Sequence, residues 1–416
     1  MKTLTIVLIG FMGLLEPALA GFEDAGAGAR ARGMAEAFVA VSDDANAMYY
    51  NPAGSTQING REFTTHYGQF LKGLDDASSV KSNYVSYLQQ LQGGRLGTFG
   101  LAYQNYKGAD YFTDRTMTLS YGKQLAPFTF GWDGKWSLGI NVKQFNRQYE
   151  ASAYTNNALN DAGTATGRPD PLFEKNGYSK QAYAVDLGSM YQLGENRKTK
   201  FGVSLTNINQ PDLSLGHDKD RAPLIARVGM AHQTRWALLS VEVRRTKRMA
   251  NEQDTDTAFG IERTLSWSSI GSMGLRAGYA QGSRGYQMLA SGASFSFRWI
   301  HLDYAFTFPI GNLSQTQGDH QVSLSFRWGT PEEAPRTLGQ KPASQEIREA
   351  SSLKQPTKQQ GLSLPDDFNK AVGIYFSRKA AGASATERLR LLQELYVKFE
   401  HNGLDTTLIG KELSSL

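Results

Sequence analysis

The stretch WSLGINVK, residues 136–143, alternates without a break. Trp136, Leu138, Ile140 and Val142 fall on one face of an extended chain, and Ser137, Gly139, Asn141 and Lys143 on the other. Successive side chains of a strand point to opposite sides, so this segment offers one face to an apolar medium and one to water. The period returns downstream. Met273, Leu275, Ala277 and Tyr279 oppose Ser272, Gly274, Arg276 and Gly278, and Leu302, Tyr304, Phe306 and Phe308 oppose Asp303, Ala305 and Thr307.

Working outward from these segments, one unit repeats from about Glu62 to Trp328. It has roughly ten alternating residues followed by a polar or Gly-rich break, the pattern of a transmembrane β-barrel. Fourteen units are centred near residues 66, 85, 101, 119, 141, 188, 204, 229, 242, 261, 276, 292, 305 and 324. An even count returns both barrel ends to one side of the membrane. Barrels of this kind have short periplasmic turns and longer external loops, so the odd-numbered connections are expected to be long. Residues 71–79, 148–180, 210–221, 246–255 and 310–319 fit, whereas the connections at 126–135 and 282–284 blur the rule.

Composition agrees with a barrel in a membrane. The chain has 43 Gly, 19 Tyr and 21 Phe, with hydrophobic residues at only 40%. The absence of Cys removes any disulfide scaffold, thiolate metal site or Cys nucleophile, and a net charge of +5 in an exported chain does not point to nucleic acid. Residues 1–20 read as a secretory signal: Lys2, an apolar run from Leu4 to Leu15, then Ala18 and Ala20 before the cut. No later stretch approaches the ~20 apolar residues of a spanning helix.

Between signal and barrel lies GARARGMAEAFVAVSDDANAMYYNPAG, residues 28–54, with helical rather than alternating spacing and a turn cluster at Asn51, Pro52 and Gly54. It reads as a piece inside the wall, so residues 21–61 are expected to form an N-terminal hatch. The run AFVAVSDDANAMYYNPAG, with LDYAF at 302–306 and GDHQVSLSF at 318–326, resembles the PorV/PorQ branch of the FadL-type outer-membrane transport superfamily. The resemblance covers roughly residues 28–329, with specific motifs near its two ends. It implies an all-β, fourteen-stranded antiparallel barrel with an N-terminal hatch in the outer membrane of a Gram-negative bacterium, both termini periplasmic. Asp43, Asp44, Asn46, Asn51, Pro52, Ala53 and Gly54 then form the hatch and gating motif.

The last strand, HQVSLSFRW, places Val322, Leu324, Phe326 and Trp328 on one face, an aromatic-ended amphipathic strand of the sort that barrel-assembly machinery reads. After the barrel at 62–329, residues 330–364 are rich in Pro, Gln, Ser, Lys and Glu and read as a flexible linker. Residues 365–416 read as a periplasmic α-helical hairpin. Phe368, Ala371, Val372 and Tyr375 share one face, and Leu389, Leu392, Tyr396 and Phe399 another, after a Ser384–Glu387 capping box. So small a hairpin has little core, which points to a periplasmic protein partner.

Other motifs have plainer readings. Gly26, Gly28 and Ala31 fit a dinucleotide pattern but lack the strand–helix context, and better suit a backbone passing close to the wall. Ser42, Asp43, Asp44 and Asn46 read as a helix N-cap and acidic first turn rather than a cation loop, so no metal or cofactor is expected. Asp186, Glu242, Arg276, Asp303 and Arg327 lie on polar strand faces, where they pair across the lumen or gate a substrate. Arg244, Arg245, Lys247 and Arg248 end the ninth strand, as lipopolysaccharide contacts or as a solvated loop base. Gly100, Gly139, Gly274 and Gly278 mark strand bends or openings. No metalloprotease or nucleophile-elbow spacing occurs, so an enzyme is not expected.

Besides a structural barrel whose tail docks to the cell wall or another envelope protein, two functions stay open. The superfamily resemblance implies passage of hydrophobic small molecules such as fatty acids through a gated apolar pocket. The PorV/PorQ branch instead implies a non-enzymatic accessory of protein secretion that binds cargo or partner subunits. An apolar lumen pocket would favour the first, and a sealed lumen with exposed apolar rim loops the second.

Overall fold

The computed structural model describes residues 26–70, 72, 80–109, 112–125, 134–152, 155–160, 162–194, 196–217, 219–247, 253–267, 271–283, 285–310, 317–329 and 375. The expected signal at 1–20, the linker at 330–364 and Arg248 lie outside them, as does the helical hairpin at 365–416 apart from Tyr375, which is helical. The chain divides into one compact unit over residues 1–340 and a second over 341–416.

The alternating segments are strands. They are β1 (Arg61–Phe70), β2 (Val80–Gln90), β3 (Thr98–Ala109), β4 (Phe112–Gln124), β5 (Gly134–Tyr149), β6 (Ser179–Leu193) and β7 (Thr199–Thr206). There follow β8 (Leu224–Gln233), β9 (Leu238–Lys247), β10 (Gln253–Trp267), β11 (Gly271–Gly282), β12 (Gln287–Phe297), β13 (Ile300–Pro309) and β14 (Asp319–Trp328). Every expected centre falls inside its strand. Each strand pairs antiparallel with its sequence neighbours, and β1 closes the ring on β14 from Arg61↔Trp328 to Gln69↔His320. Closure leaves no sheet edge along the shared height of the wall, which is what permits strands to cross a bilayer.

The two faces separate as the sequence requires. Leu138, Ile140 and Val142 are exposed on the outer surface, while Ser137 and Asn141 are buried within. On β14 the outer row is Val322, Leu324, Phe326 and Trp328. Exposed outer side chains of this kind face lipid, and no helix among the described residues is long and apolar enough to cross a membrane.

Connections differ between the two rims. One rim carries the excursions 150–178 and 207–223, and the other the turns 234–237 and 298–299. The expected long third connection is instead the two residues between Ala109 and Phe112, because β3 and β4 pair almost to their tips with a register shift between Lys107 and Ala109. Trp136, Trp236, Trp267, Trp299 and Trp328, all exposed, lie on the rim of the even-numbered turns.

Candidate functional site

Residues 26–58 run inside the barrel, and most are buried. The helical spacing produces only short helices, Ala29–Gly33 and Ala47–Tyr50, followed by a 3-10 turn at Pro52–Gln57. Between them Ala35, Glu36 and Ser42 adopt positive φ, which ends any longer helix. The apolar residues of the segment, among them Met34, Phe38, Val39, Val41, Met48 and Tyr50, form a core with Tyr84 and Leu88 of β2.

The inward glycines of the wall receive this segment. A Cβ on Gly139 would stand 2.2 Å from the carbonyl carbon of Pro52, and one on Gly188 2.3 Å from Asn51 Oδ1. The same holds at Gly202 against Val39, at Gly260 and Gly278 against Met34, and at Gly100 against Met48. Gly122, Gly139 and Gly188 are register partners across β4, β5 and β6, so they form a continuous strip of bare backbone. The expected bends at Gly100, Gly139 and Gly278 are therefore sites of close approach. Gly274 differs, since a Cβ there would meet Ser294 Oγ on the neighbouring strand.

Charge ties the segment to the wall. Arg30 donates from Nε and Nη2 to the two oxygens of Glu262 at 2.9 and 2.7 Å, and also meets Asp43 at 2.5 Å and Asp44 at 3.2 Å. Arg32 bridges Glu36 and Asp319, each at 3.0 Å, and Glu36 meets Arg244 at 2.8 Å. Glu242 Oε2 accepts from the backbone N–H of Phe38 at 2.9 Å and of Val39 at 2.7 Å. Glu62 Oε1 accepts from Ala45 N, and Asn141 donates to the Met48 carbonyl. In so buried a setting a forked Arg–carboxylate contact fixes geometry as well as charge.

The five lumen charges read from the sequence all face inward, and each has a partner. Asp186 pairs with Lys143 at 2.9 Å, Glu242 with Arg227 at 3.5 Å, and Arg327 with Glu62 at 2.9 Å. Arg276 reaches Glu262 at 2.6 Å and Asp303 at 2.7 Å. The Asp303 contact is close but lacks hydrogen-bond alignment. Lys143, already on the polar face of its strand, is joined by Glu62, Arg227, Glu262 and Asp319, inward charges that the two-residue period also puts on polar faces but that do not stand out in the sequence. Arg30, Arg32 and Glu36 carried no such signal, because their partners lie up to 287 residues away.

Two readings are corrected. Asp43, Asp44 and Asn46 are not a helix cap, since Asn46 precedes the helix without a side-chain cap bond. Asp44 Oδ1 accepts from Asn46 N instead, and both acids turn to Arg30. Burial opposes ionisation of Asp43, yet the charges of Arg30 and Lys200 hold its carboxyl below the usual range. Burial pushes Asp44 up to about 6, with Arg30 opposing and Glu62 and Asp43 adding to the rise. Arg244 is not a lipopolysaccharide contact, because its guanidinium is spent inside the barrel on Glu36 and on Asp256 at 2.9 Å. Arg245 and Lys247 are exposed on the outer face.

The Asn51–Gly54 turn is a knot between segment and wall. Asn51 donates to the carbonyls of Val39 at 2.9 Å and Ser189 at 3.1 Å, and accepts from Ala53 N at 3.1 Å. Pro52 lies against Gly139 and Gly188, Ala53 is fully buried, and a Cβ on Gly54 would meet Ser42 O at 2.2 Å. A cavity of about 340 Å³ opens at the even-turn end, lined by Arg30, Asp43, Glu262, Arg276, Arg298 and His301 among others. Its wall is polar. Among the described residues no cluster of His, Asp or Glu is arranged to hold a metal ion.

A closed fourteen-stranded ring with an apolar outer face and a filled polar lumen defines an outer-membrane β-barrel. Residues 44–326 match the family model described as type IX secretion system membrane protein PorP/SprF, and the chain belongs to that family. CymD, a monoaromatic hydrocarbon channel, is similar in fold, with 12% identity over 74% of this chain and 99% of that chain and a TM-score of 0.51. The deltaS2S3 mutant of TodX, also titled a monoaromatic hydrocarbon channel, has 13% identity over 74% and 100% and a TM-score of 0.50. A Pseudomonas aeruginosa FadL homologue has 11% identity over 74% and 100% and a TM-score of 0.47. No curated protein sequence matches the chain significantly.

Proposed function

We propose that this chain is a non-enzymatic outer-membrane component of type IX secretion, a barrel sealed by its own N-terminal segment that binds a partner protein or cargo. One observation carries the reading. The lumen is occupied by residues 26–58, cross-tied to the wall through Glu262, Asp319, Arg244, Glu242 and Glu62, where an apolar solute would need a greasy path. The family membership supports it, as does the PorV/PorQ-like signature at Ala37–Gly54. We place the even-turn rim and both barrel ends in the periplasm, consistent with the long excursions 150–178 and 207–223 on the opposite rim. Residues 365–416 then face a periplasmic partner.

The fold shared with CymD favours a second reading, passage of hydrophobic small molecules with residues 26–58 as a movable hatch. Native mass spectrometry of the detergent-extracted barrel separates the two. The secretion role predicts a ligand-free barrel that retains a protein partner and loses it when residues 365–416 are removed. A co-purifying fatty acid or aromatic compound, lost on Asn51→Ala, would overturn it in favour of transport.

A further inference from the structure

The barrel wall is complete over most of its height, but β6 stands taller than β7. β6 pairs with β5 along its whole length, from Gly134↔Leu193 to Gln148↔Ser179. With β7 it pairs only from Leu193↔Thr199 to Leu187↔Leu205. Above Leu187 the chain of residues 207–209 briefly imitates a strand. Ile208 N donates to Val185 O at 3.0 Å, Val185 N donates to Asn209 Oδ1 at 3.1 Å, and Asn209 Nδ2 donates to Tyr183 O at 2.8 Å. The Asn209 carboxamide thus supplies one donor and one acceptor in the place of a strand residue.

There the pairing stops. In an antiparallel ladder both backbone groups of a residue point to the same neighbour, so the odd residues of β6, like Val185, address the β7 side. The N–H of Tyr183 and both backbone groups of Gln181 have no partner on that side among the described residues. Ser179, Gln181 and Tyr183 are also exposed, Tyr183 at 61%. Beyond Asn209, the described residues of the loop make no hydrogen bond to them, and its Asp212 is near enough to feel the charge of Lys180 on the other face of β6. Its Asp220 turns inward to Arg147, and Leu213 and Ala222 are buried.

We propose that the free edge of β6 at Ser179–Tyr183 is a docking site for an extended peptide segment of another protein, which joins the wall as an added strand. Unpaired main-chain donors and acceptors at a two-residue repeat are complementary to another strand, and native edges left open in this way serve as recognition sites. Tyr183 stands on the outer side of the edge, placed to cover the side chains of the incoming strand. Charge does not blunt this outer face, where Gln181 and Gln144 bond to each other at 3.4 Å. The site lies on the rim of the long excursions, away from the lumenal segment, and is independent of the secretion reading.

The test uses the full chain in lipid nanodiscs and a synthetic strand-forming peptide, Ac-KTVTVTVK-NH2, followed by hydrogen exchange of the Gln181 and Tyr183 amides. They should exchange freely alone and roughly tenfold more slowly with peptide, as amides entering a ladder do. A peptide N-methylated along one edge should give no protection. Gln181→Pro removes an outward N–H without touching the β5 ladder, so the heat-modifiable barrel should persist while protection of Tyr183 is lost. Slow exchange of both amides before peptide is added would overturn the proposal. So would peptide protection that survives in Gln181→Pro.

Discussion

Glu262 and Arg30 face each other across the boundary between wall and lumenal segment, their forked contact at 2.7 and 2.9 Å joining β10 to the helix at Ala29–Gly33. Arg30 also neutralises Asp43 and Asp44, so its loss takes a counter-ion from three carboxylates, of which Asp44 and Glu262 are buried. Removing one partner of a buried pair costs about 3–5 kcal/mol. The wall does not depend on it. Arg30→Ala should therefore keep heat-modifiable migration while residues 26–58 become open to limited proteolysis. Unchanged protease resistance would show that apolar packing alone holds the segment.

Gly139 offers a steric counterpart. Its neighbours there are backbone atoms of Pro52 and Ala53, which have nowhere to yield. Gly139→Leu overfills the contact by more than the ~1–3 kcal/mol typical of an inserted methylene. The expected outcome is an intact barrel by circular dichroism with single-channel conductance well above wild type. Gly163→Asn, at a loop glycine with open space around it and a positive φ that Asn tolerates, should leave conductance unchanged.

Acidity acts through Asp44. Its carboxyl is raised to about 6 in the fold against the ordinary 3.8, so the folded state binds the proton more tightly. Stability linked to Asp44 then rises as pH falls from about 6 toward 4 and is absent above 6. Asp43 has the opposite sign, being held low, and its contribution disappears as pH falls below its usual value. Thermal melts of the segment should show a gain between pH 6 and 4 that Asp44→Asn abolishes, with loss at lower pH. A flat profile across that window would contradict the assignment.

Arg244 and Arg245 are sequence neighbours with opposite destinations. Arg244→Ala should loosen the segment through Glu36 and leave lipopolysaccharide binding untouched, since its side chain is internal. Arg245→Ala should do the reverse if the outer cations meet lipid phosphate. Binding of purified lipopolysaccharide, measured beside proteolysis of residues 26–58, distinguishes the two.

The barrel was legible because its period is local: Trp136–Lys143 states both faces within eight residues, and fourteen such statements locate the strands. Inward charges such as Asp186 and Arg327 followed from the same period. Their partners did not, because register across strands and the path of residues 26–58 are set by contacts distant in sequence, such as Arg32 with Asp319. The acidic pair Asp43–Asp44 shows the limit clearly. Its local pattern fits a cap, and only Arg30 folded back on it reveals a counter-ion. Arg244 misled for a related reason, since a run of cations does not declare which of them alternate inward.

The bare-backbone strip through Gly122, Gly139 and Gly188 bears on what the barrel would be without its filling. Asn51, Pro52 and Ser55 lie where a methyl group on those three glycines would stand. The segment therefore supplies the side-chain volume that this part of the wall lacks, and its Ala29 bonds to Ser323 in the last strand of the ring. Emptied of residues 26–58, the barrel would keep a groove of bare peptide groups where its seal belongs.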